Sequence, residues 1–220
     1  MKKRKTKKAK KELGIIAAVL AVFILSSIIA TLVSIRKNTE IANSFETVQV
    51  EDRLTPVKDE NGYWTFTTDR DFKVLQLTDV HIGGGFMSTK KDSMALNAVA
   101  AMITAEKPDL VIVTGDVSYP VPFQAGTFDN LSAAKVFAAL MEKLGVYWTL
   151  GYGNHDTEAY SYYSREDLSA FYGSEDMKYC LFQTGPEDVD GYGNQVINVK
   201  NSEGIITQSL FVFDSHSYVD

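Results

Sequence analysis

Three apolar runs in this chain each lead into a short polar signature, and that pattern restricts the fold more than any other feature. Phe72-Lys73-Val74-Leu75-Gln76-Leu77 precedes Thr78-Asp79-Val80-His81, and Leu110-Val111-Ile112-Val113-Thr114 precedes Gly115-Asp116. Val146-Tyr147-Trp148-Thr149-Leu150 is followed by Gly153-Asn154-His155-Asp156. Runs of this length, rich in Val, Ile and Leu, read as strands buried in a largely covered sheet. Ligands of such sheets bind beyond the carboxyl ends of the strands, so Asp79, His81, Asp116, Asn154 and His155 are expected on one rim. Two carboxylates, two imidazoles and a carboxamide, without a thiolate, suit divalent first-row metals.

Taken singly, each of these residues has an ordinary structural reading. Asp79 can cap a loop, His81 can lie on the surface, Asp116 can form a turn, Asn154 tolerates left-handed backbone and His155 can simply pack. Their joint recurrence at three strand ends is what argues for a site. In this order, separated by 37 residues from Asp79 to Asp116 and by 39 from Asp116 to His155, the signatures resemble the first three motifs of the calcineurin-like metallophosphoesterases. The resemblance covers about residues 70–220. The segments Gly191–Val199 and Leu210–Tyr218 are further similar to the branch related to purple acid phosphatases.

The resemblance implies a metallophosphoesterase-type layered α/β sandwich that hydrolyses phosphomonoesters or phosphodiesters at a dinuclear site. It implies Asp79 and His81 on the first metal, Asp116 as the bridge and Asn154 on the second, the ions being divalent or trivalent Mn, Fe or Zn. His155 is then not a ligand but faces the leaving group, where an imidazolium stabilises phosphoryl charge or protonates the departing oxygen. Asp156 orients its neighbourhood or caps a helix. The family also needs histidines further downstream, whereas this chain has three in all, His81, His155 and His216. His216 follows Phe213-Asp214-Ser215, where the related phosphatase branch has no ligand. By ligand count the second metal keeps only Asp116 and Asn154, so residues 61–220 are expected to be a phosphoesterase domain incomplete at its C-terminus. The alternative is a membrane-tethered binding protein with a degenerate, non-catalytic phosphoesterase fold.

The front of the chain bears on location. Residues 2–11 contain eight Lys or Arg, and Leu13 to Ile35 carry no charge over 23 residues before Arg36-Lys37. At about 1.5 Å per residue such a helix covers roughly 35 Å, enough for a hydrocarbon core of about 30 Å. The reading is a basic cytoplasmic arm over 1–12, a transmembrane signal-anchor over 13–35 in contact with membrane lipid, a linker over 36–60, and an extracytoplasmic domain beyond. A cleaved signal peptide is the rival, although its apolar core runs only about 7 to 15 residues. From residue 38 onward 12 basic residues face 27 acidic ones, a net charge of −15. Such a domain is not expected to bind nucleic acid, where phosphate neutralisation supplies most of the affinity. Cys180 is the single cysteine, so no intrachain disulfide forms.

Between the signatures the periodicity predicts helices over about 92–106, 130–144 and 158–172, with Asn130 as an N-cap and Gly145 as a stop. Tyr63–Thr67 reads as a short edge strand. Residues 178–183, 195–200 and 207–213 read as further strands, with a hairpin turn at Asn201–Gly204. Gly83-Gly84-Gly85 reads as a flexible loop able to approach a ligand closely. Tyr119-Pro120-Val121-Pro122-Phe123 is a stiff aromatic loop beside Asp116, suited to lining a pocket or to ordinary packing.

Overall fold

The computed structural model describes residues 2–217; Tyr218 and the side chains of the basic arm before Lys10 lie outside the described set. The elements are α1 (Lys2–Ser44), β1 (Val57–Lys58), β2 (Trp64–Thr67), β3 (Val74–Leu77), α2 (Thr89–Glu106), β4 (Leu110–Thr114), α3 (Pro122–Ala125), α4 (Asn130–Leu144), β5 (Trp148–Gly151), α5 (Arg165–Tyr172), β6 (Gln195–Lys200) and β7 (Ile206–Val212). Strands β3, β4 and β5 form one parallel sheet in that order, and β1, β2, β6 and β7 form a second, mixed sheet.

Strand alternation builds the layers. Along β4, Val111 and Val113 join the cluster of Leu96, Ile103, Phe137 and Leu140 under the helices. Leu110 and Ile112 pack instead with Phe66, Leu181, Ile197 and Leu210 of the other sheet side. Successive side chains of a strand point to opposite faces, so one five-residue strand joins both cores. The result is the expected layered α/β sandwich. Strands β4 and β5 are covered as predicted, but β3 buries only Leu77.

Several local expectations shift. Strand β2 is not an edge: β1 pairs with it on one side and β6 on the other. Residues 178–183 form no strand beyond one bridge between Trp148 and Cys180. There the Glu142 carboxylate accepts the backbone N–H groups of Lys178 and Tyr179, replacing a strand neighbour. Helix α5 begins at Arg165 rather than near 158, because Ser164 and Asp167 form a capping box. Helix α4 spans 130–144 as predicted and ends on Gly145 at φ 69°, but its cap is Asp129, whose carboxylate accepts from the Ser132 N–H at 2.8 Å.

The segment 36–60, expected as a linker, contains helix and strand. Helix α1 continues to Ser44, and its last turns are docked. Ser34, Asn38 and Ala42, spaced four apart, are all buried. The Ser34 hydroxyl donates to the Gly85 carbonyl at 2.9 Å and meets the Thr89 hydroxyl at 2.6 Å, and Asn38 Nδ2 donates to Asp92 at 3.3 Å. Spacing of four places such residues on one helical face, and here that face carries the domain.

Candidate metal centre

Backbone geometry prepares the rim before any side chain is considered. Asp79, His81 and Asp116 hold φ of 54°, 53° and 55°, a left-handed conformation uncommon for residues with a Cβ. Each costs on the order of 1–3 kcal/mol, and such residues cluster at functional sites. Hydrogen bonding sustains them: Asp79 N–H donates to the Gly115 carbonyl at 3.2 Å, and His81 N–H to the Asp116 carbonyl at 3.0 Å. The first two signatures therefore keep pairing past the ends of β3 and β4.

The third signature is pressed against the second. A Cβ on Gly115 would lie 2.8 Å from Gly153 Cα, and one on Gly153 would lie within 2.1 Å of Asp116 Oδ1. Only glycine permits this approach. Asp156 then ties the two loops together. It accepts N–H bonds from Asp116 and Gly153 at 2.9 Å each and from Ser118 at 2.8 Å. Burial nevertheless outweighs those bonds and pushes its carboxyl up to about 6. Of the two roles open to Asp156, orienting its neighbourhood is the one observed. Asn130, read as a cap, is buried and serves the same loop, donating from Nδ2 to the carbonyls of Asp156 and Tyr163 at 2.9 Å each.

The side chains of His81, Asp116 and His155 converge from three strand ends, with ligand atoms all within 4.8 Å of one another. His81 Nε2 lies 3.5 Å from Asp116 Oδ2 and 3.6 Å from Asp79 Oδ1. It is buried and makes no hydrogen bond. An imidazole nitrogen aimed at two carboxylates without a bond to either suits a cation between them, so the donors fit a metal. Asp79 is more exposed and also accepts from the Thr78 hydroxyl at 2.6 Å. Asn154 is half-buried between Gly153 and His155. His155, expected near the leaving group, stands within the converging trio. Its Nδ1 is 2.8 Å from Glu158 Oε1, and its backbone N–H donates to Asp116 Oδ1 at 2.9 Å. His216 is elsewhere, its ring 3.3 Å from Asp190.

Two contributors, Glu158 and Asp92, were not assigned a role in the site from the sequence, and Tyr119 was read only within a loop suited to lining a pocket or to packing. Tyr119 stacks on His81 and meets His155 edge-on, both at 4.6 Å between ring centres. Its place beside Asp116 was the only signal. Glu158 orients His155, and the i, i+3 spacing of a carboxylate after a histidine was the available clue. Asp92 is fully buried and accepts from the N–H groups of Gly83 and Gly84 at 2.9 and 3.0 Å. The glycine loop is thus fastened rather than flexible, and what approaches it closely is protein. A Cβ on Gly85 would stand 2.0 Å from the Ala125 carbonyl oxygen. A cavity of about 170 Å³ opens beside His81, bounded by Lys91, Tyr119 and Gln124.

A parallel sheet with O/N donors gathered beyond its carboxyl ends defines a metallophosphoesterase-type protein. The chain belongs to the calcineurin-like phosphoesterase family, whose sequence model matches residues 72–218. It is 28% identical over 169 residues to "Probable inactive purple acid phosphatase 28" of Arabidopsis thaliana, covering 68% of this chain and 41% of that protein. It is 29% identical over 174 residues to "Probable inactive purple acid phosphatase 14" of the same plant, covering 70% and 42%. With "Phosphatase DCR2" of Saccharomyces cerevisiae it shares 27% over 168 residues, covering 69% and 28%. The chain therefore spans well under half the length of these curated relatives. No solved structure matches it significantly.

Proposed function

We propose that the protein to which this chain belongs is a membrane-anchored, outward-facing, metal-dependent hydrolase of phosphate monoesters or diesters. The observation that carries the reading is the convergence of His81, Asp116 and His155 around the unbonded Nε2 of His81. Asp116 and His81, with Asp79 beside them, would hold the first ion, and Asp116 with Asn154 would hold the second. Bound ions supply hydroxide near neutral pH and neutralise phosphoryl oxygens. The chain's own groups do the rest. Glu158 holds Nδ1 of His155, leaving Nε2 as the nitrogen for the departing oxygen. Tyr119 covers the rings of His81 and His155, and Lys91 draws the anionic ester toward the cavity.

Helix α1 supports the anchor. It is the one described helix long and apolar enough to cross a membrane. The basic residues before it favour a cytoplasmic N-terminus.

The test is Asp116→Asn in the full-length gene product. Metal content should fall toward zero, and hydrolysis of an aryl phosphate with added Mn should drop by at least about 100-fold, as loss of a charged ligand exceeds the 10–100-fold typical of outer-shell changes. Unchanged metal content and rate would reduce Asp116 to a turn residue. A second reading, a tethered binder that does not turn over, is favoured by the word "inactive" in the names of two relatives. A parent protein that loads metal and binds phosphate but hydrolyses no ester would establish it.

A further inference from the structure

A large cavity lies away from the metal centre, along α1. It encloses about 570 Å³ between the helix residues Ile24, Ile28 and Leu32 and the domain residues Phe86, Met87 and Phe123. The only charged residue lining it is Asp129, whose carboxylate oxygens are already taken by the N–H and hydroxyl of Ser132. The domain side of this groove is unusually open for its chemistry: Phe123 is 91% exposed, Met87 53% and Tyr162, at the outer edge, 70%.

Position along α1 identifies what covers these residues. At about 1.5 Å per residue, a hydrocarbon core of about 30 Å entered at Leu13 is crossed after about twenty residues, close to Leu32. The groove runs from the level of Phe23 to that of Ile35, so its domain wall lies beside the outer half of the span. The buried contacts of Ser34, Asn38 and Ala42 fix the domain at that height. A contiguous exposed apolar patch marks an interaction site, and aromatic side chains are enriched at membrane interfaces. One wall of this groove is the apolar span itself, so its content is continuous with whatever surrounds the span.

We propose that the groove is a lipid site. Phe86, Met87, Phe123 and Tyr162 enter the outer leaflet, and an acyl chain of a bilayer lipid lies between them and α1. The inference rests on the reading of α1 as a membrane span. It also places the metal centre at the membrane surface, since α3 supplies Phe123 to the groove and Gln124 to the cavity beside His81.

The experiment uses the full-length protein in phosphatidylcholine nanodiscs, with and without lipid carrying a doxyl quencher near the top of its acyl chain. Phe123→Trp and Tyr162→Trp alter exposed positions, and the parent, with Trp64 and Trp148, supplies the baseline. Both variants should show added, blue-shifted emission that is largely lost with the quencher, while the parent's emission changes little. Carbonate washing of native membranes tests the anchor separately. Protein that resists washing but whose added tryptophans stay unquenched would overturn the lipid site and leave the anchor standing. Protein stripped by carbonate would overturn both. Disulfide cross-linking between copies through Phe123→Cys would show a second chain in the groove and overturn the proposal in favour of a dimer.

Discussion

At the residue scale, the rim is organised by groups whose chemistry is masked in the linear sequence. Glu158 stands only three residues after His155, and its carboxylate is 2.8 Å from Nδ1. Glu158→Gln should lower turnover by about 10- to 100-fold, the range typical of a lost orienting partner, because His155 is read as the acid and not as a ligand. The melting temperature should stay near the parent's, so calorimetry beside the rate assay distinguishes orientation from folding. An equal rate would show that Glu158 does not position the ring. Cys180 offers a pH test remote from the site. Burial pushes its thiol up to about 12, and the thiolate is the reacting form. Because the folded value lies above the ordinary thiol value of about 8.5, iodoacetamide at pH 9 should label the native protein far more slowly than the urea-unfolded chain. Labelling should accelerate only as pH approaches 12. Equal rates at pH 9 would show an accessible, ordinary thiol.

At the element scale, the notable joint is between α1 and the domain. Ala42 is completely buried against it, and Val48 N–H then donates to the Leu144 carbonyl at 2.9 Å, continuing the attachment past the helix end. A helix docked this way holds a fixed orientation relative to the rim, whereas a flexible linker would leave it free. Ala42→Asp should bury an unpaired carboxylate there and cost about 3 kcal/mol or more. Limited proteolysis should then cut near residues 45–53 while the family domain stays intact. An unchanged cleavage pattern and melting curve would mean that the helix is only loosely held. The same scale shows why helix boundaries were partly legible. Helix α4 was correctly bounded because its apolar period and Gly145 agree, while α5 starts later than expected because the Ser164–Asp167 capping box sets its first turn and Asn130 holds Tyr163 just before it. The 178–183 segment was misread for a related reason, since Glu142 takes the N–H groups of Lys178 and Tyr179 and the segment meets β5 only at Trp148.

At the scale of the whole molecule, charge and apolar length together motivate the proposed topology. With α1 spanning and the basic arm inside, a tag placed at the C-terminus should be digested by protease added to intact spheroplasts. Protection until lysis would invert the topology. The fold class and the convergence of Asp79, His81, Asp116 and His155 toward one rim were determined by sequence alone, because strand alternation and strand-end signatures are local patterns that survive without knowledge of neighbours. The apolar length of residues 13–35 was equally local. Tertiary structure decided what depends on distant backbones meeting. It brought Gly153 against Asp116, turned Asp92 and Asn130 from helix-end residues into staples, placed Glu158 and Tyr119 around His155, and ran α1 onto the domain. Some of these contacts join segments tens of residues apart, as Gly153 does with Asp116. Others, such as Glu158 with His155, are near in sequence but set by how the loop folds. Periodicity along a chain carries no information about which buried polar group will find which partner.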